Sequence, residues 1–180
     1  MIYQSTYKSP FGNIIIASNG EALTGLWFEN QKYFGSTLPQ QYEVIEAEDD
    51  PVLKETVCWL DIYFQGKEPN FMPNLALETT PFRKEVAEIM LTIPYGQIMT
   101  YGEIAAKLAE QKGLARMSAQ AVGGAVGHNP ISIIVPCHRV VGTNGSLTGY
   151  AGGIEKKIAL LELEKAEMSG LFIPKKGTAL

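Results

Sequence analysis

The sequence predicts an α/β protein of two domains, and three observations carry that prediction. The first thirty residues read as a β-meander, a proline-punctuated stretch from Lys67 to Thr80 shows little periodicity, and a succession of helix signals follows it. The expected division is 1–79, 80–168 and a tail, 169–180, loosely ordered from Ser169 onward. At 180 residues the chain is long enough to bury two modest cores. Its apolar runs are far too short to span a bilayer, and Met1 to Lys8 lacks the basic and apolar regions of a signal peptide, so no membrane association and a cytoplasmic location are expected. Two cysteines, Cys58 and Cys137, and two histidines, His128 and His138, exclude a Cys-rich zinc site and argue against a disulfide framework. No metal or other cofactor is expected.

Turn signals at Ser9-Pro10-Phe11-Gly12 and Asn19-Gly20 separate apolar, β-branched runs, and Asn-Gly between Ile14–Ala17 and Ala22–Phe28 marks a hairpin. An acidic, loop-like stretch then ends at Asp49-Asp50-Pro51. Asp50 caps a helix that begins at Pro51, runs to about Gln65 and stops at Gly66, with Leu53, Val57, Leu60 and Phe64 at helical spacing. Cys58 lies inside it and is read as structural. Thr80 and Pro81 start a second helix that presents Phe82, Val86, Ile89 and Ile93, and Thr100-Tyr101-Gly102-Glu103 forms a capping box for a third, packed through Ile104, Ala105 and Leu108.

After a turn near Gly113, Ser118 caps a helix through Val126 that ends at Gly127 and Asn129-Pro130. It contains Gly123-Gly124, and each glycine inside a helix costs on the order of 1 kcal/mol against alanine. Either another backbone packs closely there or something large approaches. Two short helices joined by a turn match the helix-turn-helix outline, whose second helix meets DNA, although most helix pairs are merely packed. Charge agrees weakly with a polyanion partner: residues 1–79 hold 4 Lys/Arg against 11 Asp/Glu, while 80–180 hold 11 against 8.

Ile131–Val135 reads as a short buried strand, and chemistry follows at once in Pro136-Cys137-His138-Arg139-Val140. A thiol is a strong nucleophile only as thiolate, and from a free pKa of about 8.5 it needs a base or positive charge nearby. His138 is the candidate base. Neighbours on a regular strand point to opposite faces, so the two cooperate only through a turn, which Pro136 favours, or a bridging water. The alternative is a buried cysteine beside a half-exposed histidine. A glycine-rich loop, Gly142 to Gly153, lets backbone groups approach a ligand, and a last amphipathic helix runs from Ile154 to Ala166 through Ile154, Ile158 and Leu161. Glu164, one turn beyond Leu160 and Leu161, is either a solvated helix carboxylate or turned toward the core.

Taken together, Ile131–Val141 with Pro136-Cys137-His138-Arg139-Val140, the preceding Ala121-Val122-Gly123-Gly124-Ala125 and Asn129-Pro130, and the following Gly149-Tyr150-Ala151-Gly152-Gly153 closely resemble the O6-alkylguanine-DNA alkyltransferase family. The resemblance spans about residues 80 to 166, and the first 79 residues resemble that family's N-terminal domain more loosely. It implies a ribonuclease-H-like small sheet with a helix, followed by a mainly helical, winged-helix-like domain with a helix-turn-helix. It also implies a monomer acting on alkylated double-stranded DNA, which moves the alkyl group from O6 of guanine, and less well from O4 of thymine, onto its own cysteine once per molecule. By the resemblance Cys137 is the acceptor, His138 takes its proton through a bridging water, and Glu164 orients and charges the histidine. Tyr101 contacts the flipped base and its phosphate, Gln120, Ala121 and Gly123 lie on the DNA-reading helix, and Asn129 is the hinge after it. The Val140 carbonyl, Tyr150 and the backbone near Ala151 line the guanine pocket. Flipping is required because O6 lies inside the duplex stack.

Two departures stand out. Gln120 occupies the place where many family members insert an arginine into the duplex, and the first domain has no residues for the zinc site that some relatives carry. The alternative function is that of an alkyltransferase-like protein that flags lesions without transfer; such proteins lack the acceptor cysteine. A transcription regulator with an adventitious cysteine would leave Glu164 and the glycine-rich loop without a purpose.

Overall fold

The apolar runs of the first thirty residues fold as the meander β1 (Ile2–Ser9), β2 (Gly12–Ser18) and β3 (Leu23–Phe28). The computed structural model describes residues 1–39, 43–47 and 49–175. The chain divides into two compact units, Met1–Thr79 with Pro130–Ile134, and Thr80–Asn129 with Val135–Leu180.

In the first unit the strand order is β3-β2-β1-β4, where β4 (Val44–Glu46) runs parallel to β1. This strand falls in the stretch expected to be loop-like; at three residues it is too short to show alternation, and Gln40–Tyr42 and Glu48 of that stretch lie outside the described residues. The Asn19 side chain closes the expected hairpin by accepting from the Glu21 and Ala22 amides at 3.0 and 2.9 Å. Every residue of β3 is buried, because its outer edge is paired as well. Leu23 N donates to Asn74 O and Leu26 N to Pro130 O, and residues 76 and 132 return the bonds. Gly25 is dictated by Trp27: a Cβ there would lie 1.8 Å from the indole ring, which is fully buried.

Helix α1 (Pro51–Phe64) begins as its residues require, with the Asp50 carboxylate accepting from Leu53 N at 2.9 Å and from the Ser18 hydroxyl at 3.0 Å. Its buried face is Val52, Leu53, Thr56, Trp59, Leu60 and Tyr63. The expected stripe is therefore rotated: Val57 and Phe64 are half-buried, and the stacked rings of Trp59 and Tyr63 take the interior. Cys58, within the same helix, is exposed.

The second unit packs α2 (Pro81–Met90), α3 (Tyr101–Lys112) and α4 (Ala119–Gly127) against one another. All three start on the anticipated caps, Thr80, Thr100 and Ser118, with both halves of the capping box formed at Thr100 and Glu103. The pair α3 and α4, separated by left-handed Gly113, is the helix-turn-helix. Strand β5 (Met99–Thr100) pairs in parallel with β6 (Val140–Val141), and α5 (Ile154–Leu163) completes the unit.

Three expectations need correction. Ile131–Val135 is buried but is not a strand: Ile131 makes one bridge to Leu26, and the chain then turns through Ile133 at φ 71°. A left-handed β-branched residue costs about 1–3 kcal/mol, which hydrophobic composition does not reveal. Helix α5 ends at Leu163 and not at Ala166, because Glu164 is its C-cap and Lys165, at φ 56°, reverses the chain. The tail is not loose from Ser169: Phe172 pairs with Ser146, and Leu171 packs on a small core. Residues 176–180 lie outside the described residues. No helix among those described is long and apolar enough to cross a membrane.

Candidate active site

Pro136 ends the turning segment, and Cys137–Arg139 form one turn of 3-10 helix. Three residues per turn separate successive side chains by about 120°, so neighbours fan outward instead of opposing each other as on a strand. All three are buried. Asn129, two residues beyond α4, donates its amide to the Val135 carbonyl at 2.7 Å and to the Cys137 sulfur at 3.1 Å. The predicted hinge residue is thus a direct partner of the thiol.

His138 is fully buried, and its Nε2 lies 2.6 Å from Glu164 Oε1. An ionised carboxylate only accepts, so Nε2 carries the proton and, in the neutral ring, Nδ1 holds the lone pair that serves as a base. Arg139 grips the same carboxylate as a fork, Nη2 to Oε1 and Nε to Oε2, both at 2.9 Å, and anchors to the Ile93 carbonyl through Nη1 at 2.7 Å. Gly96 N adds a further bond to Oε2 at 3.1 Å. Gly96 sits at φ 75°, where a Cβ would lie 2.9 Å from the Glu164 carbonyl oxygen.

Burial pushes the Cys137 thiol up, against the Asn129 bond and the Lys157 charge. Burial likewise pushes His138 down, opposed by Glu164, with Arg139 and Lys157 adding to the depression. For Glu164, burial favours the neutral acid, but hydrogen bonds and charge from His138 and Arg139 outweigh it and hold the carboxyl well below the usual range. At rest near neutral pH the site therefore holds a thiol, a neutral imidazole and a carboxylate.

Lys157 of α5 is fully buried, and both acceptors of its ammonium are carbonyls, those of Val140 and, at 2.7 Å, Thr148. Burial brings its pKa down to about 8, against the pull of Cys137. The Tyr101 hydroxyl donates to the same Thr148 carbonyl at 3.1 Å. The glycine-rich loop, β6, α3 and α5 thus meet at one polar node, beside which Tyr150 is buried and Ala151 half-buried.

Residues 81–166 match the family model described as 6-O-methylguanine DNA methyltransferase, DNA binding domain, and residues 2–78 match its ribonuclease-like domain. A curated Mycobacterium tuberculosis relative, named methylated-DNA–protein-cysteine methyltransferase, is 44% identical over 92% of this chain and 94% of its own. A Haemophilus influenzae protein of the same name is 39% identical over 91% of this chain and 87% of its own. The chain belongs to the 6-O-methylguanine DNA methyltransferase family. Among solved structures of the family, the M. tuberculosis O6-methylguanine methyltransferase superposes with a TM-score of 0.76 at 44% identity, covering 92% of this chain and 93% of that one. The M. tuberculosis protein in complex with DNA gives 0.75 at 42% identity, covering 91% and 92%.

Of the three residues expected to be catalytic, His138 and Glu164 are hydrogen-bonded to each other, and Cys137, the neighbour of His138 in the buried turn, accepts from Asn129. On α4, Gln120 and Ala121 are exposed near the N-terminus, whereas Gly123 is on the packed face. Its neighbour Gly124 is the glycine on the open side, with nothing within 4 Å of an added Cβ. Sequence reasoning missed Arg139 and Lys157. Arg139 was visible as the residue after the histidine, and Lys157 falls on the α5 stripe, three residues after Ile154 and four before Leu161, where a lysine is out of place.

Proposed function

We propose that this chain repairs alkylated DNA by direct reversal, transferring the alkyl group, chiefly methyl, from O6 of guanine irreversibly to Cys137. The observation that carries the reading is the buried thiol held by Asn129 beside the His138–Glu164 pair. His138 accepts the thiol proton through a bridging water as the sulfur attacks, and Glu164 stabilises the imidazolium that forms. The sulfur–carbon bond forms as the carbon–O6 bond breaks, the electron pair stays on O6, and the proton ends on the restored guanine. The product is a neutral thioether, with nothing in the site to reverse it, so each molecule acts once.

Tyr101, Val140, Tyr150 and Ala151 hold the extruded base, while Gln120 and Ala121 meet the duplex. The protein acts as a monomer on double-stranded DNA in the cytoplasm, and O4-alkylthymine is the poorer substrate. Mass spectrometry after incubation with excess duplex containing O6-methylguanine tests the reading: one methyl should appear on the Cys137 peptide, and transfer should stop. Turnover, or methyl on exposed Cys58, would sink it. Tight lesion binding with no mass gain would favour the lesion-flagging alternative, against which the presence of Cys137 already speaks.

A further inference from the structure

Beyond Glu164 the chain folds back on the glycine-rich loop. Ala166 joins Val141, Leu147 and Leu161 in a small buried core, against which Met168, Leu171, Ile154 and Ile158 pack. Phe172 then lies in parallel beside Ser146: its N–H donates to the Gly145 carbonyl at 3.1 Å, and its carbonyl accepts from Leu147 N at 2.8 Å. The approach is so close that a Cβ on Gly145, already at φ 90°, would lie 2.2 Å from the Gly170 carbonyl oxygen. Phe172 is 44% exposed, and the contacts it makes with the loop are backbone hydrogen bonds.

The next residue along the loop is Thr148, whose carbonyl Tyr101 and Lys157 share, and Tyr150 and Ala151 follow. Five of the twelve residues from 142 to 153 are glycine, a composition that gives the free loop great conformational latitude. Tyr101 and Lys157 fix one carbonyl of it; the tail fixes the segment just before.

We propose that Met168–Phe172 is a clamp on the glycine-rich loop that sets the position of the guanine-pocket wall, and thereby determines which O6-alkyl groups reach Cys137. The proposal rests on the transfer reading above. A clamped wall admits a small alkyl group in one productive pose; a released wall loses that pose but makes room for a bulkier group.

The test compares single-turnover transfer from O6-methylguanine and O6-benzylguanine in one duplex, with every variant in a Cys58→Ser background. Phe172→Pro deletes the N–H given to Gly145 and keeps the carbonyl, Phe172→Ala keeps both backbone bonds, and Gly145→Ala forces the two segments apart. Phe172→Pro and Gly145→Ala should slow methyl transfer about tenfold, the scale of a sub-ångström misplacement, and lower the methyl-to-benzyl rate ratio at least threefold. Phe172→Ala should match the parent. The pH profile of Cys137 carbamidomethylation by iodoacetamide should stay unchanged, because the relay is untouched. An unchanged rate ratio in both clamp variants overturns the proposal, whether the two rates fall together or not at all. If one variant does not fold, by circular dichroism, the other decides. Failure of the parent itself to methylate Cys137 would refute the transfer reading, whereas the ratio reads the clamp.

Discussion

The interiors of the two units differ in kind. The first is built from hydrocarbon and aromatic side chains, Trp27, Leu26, Leu60 and Tyr63 among them, and its buried polar groups include Ser18, Thr24 and Thr56, with Asp50 capping a helix. The second buries His138, Arg139, Lys157 and Glu164 together with a thiol. Burying charge costs several kcal/mol per ion unless each is paired, and hydrophobic residues of similar volume would serve stability as well or better. An interior that keeps five ionisable groups is organised for chemistry. The first unit obeys the rules of packing, and the second departs from them at one place.

The sharpest break in that contrast comes from the thiol. Cys137→Ala should abolish transfer while DNA binding persists, since phosphate and groove contacts supply most of the affinity; mass spectrometry and a gel-shift titration check the two halves. Next in size is Arg139→Leu, which leaves Glu164 buried without its fork. It should cost about 3–5 kcal/mol in urea unfolding and slow transfer as well. Leu60→Ala in the first unit should cost a comparable 2–5 kcal/mol through its cavity, with the chemistry of Cys137 unaltered in the protein that remains folded.

Lys157→Met sharpens the comparison by separating stability from function. It should leave stability equal or higher and still slow transfer, because the Val140 and Thr148 carbonyls lose their shared donor. The pH dependence gives the sign. The native ammonium releases its proton at about 8, below the unfolded value of 10.5, so between these the unfolded chain binds more protons and stability from this group rises with pH. Measured in a Cys137→Ala background, which removes the opposing thiol titration, that rise should be present with Lys157 and absent with methionine. Because Cys137 holds the lysine up, its removal extends the window downward. His138 acts at lower pH: depressed below 6.5 by burial, it makes stability fall as pH drops through 6.5, a slope that His138→Asn should flatten.

The smallest effect concerns the exposed face of α4. Gln120→Arg should tighten duplex binding a few-fold and increase its loss with added salt, while Gln120→Ala should be the weakest binder of the three. Equal repair rates for glutamine and alanine would mean that residue 120 stays out of the stack. Thermal stability should hardly move, because the side chain packs against nothing that needs it.

Much of this architecture is legible in the sequence. Caps announce themselves locally, so Asp50, Thr80, Thr100 and Ser118 start their helices where the sequence places them, and Cys137 and His138 declared the site through their neighbours. What stayed hidden depends on contacts between distant residues. Ile133 is left-handed because the chain must turn between a bridge and a proline, and nothing in Ile-Ser-Ile-Ile-Val says so. Lys165 ends α5 without a glycine to mark it. Cys58, inside an apolar helix, points outward because Trp59 and Tyr63 rotate the buried face. Lys157 was readable from its place in the stripe, but only three-dimensional packing shows that its partners are carbonyls.

Gly96 carries a consequence for anyone cataloguing loss-of-function variants. It has no side chain, lies 68 residues from Glu164, and sits in a turn between helices. Its amide nonetheless holds a carboxylate oxygen, its backbone adopts a conformation that alanine resists, and an added methyl group would strike the Glu164 carbonyl. In a saturation screen scored for resistance to alkylating agents, every substitution at position 96 should cluster with changes at His138 and Glu164. A half-buried turn glycine would then be scored together with the buried carboxylate that its amide holds.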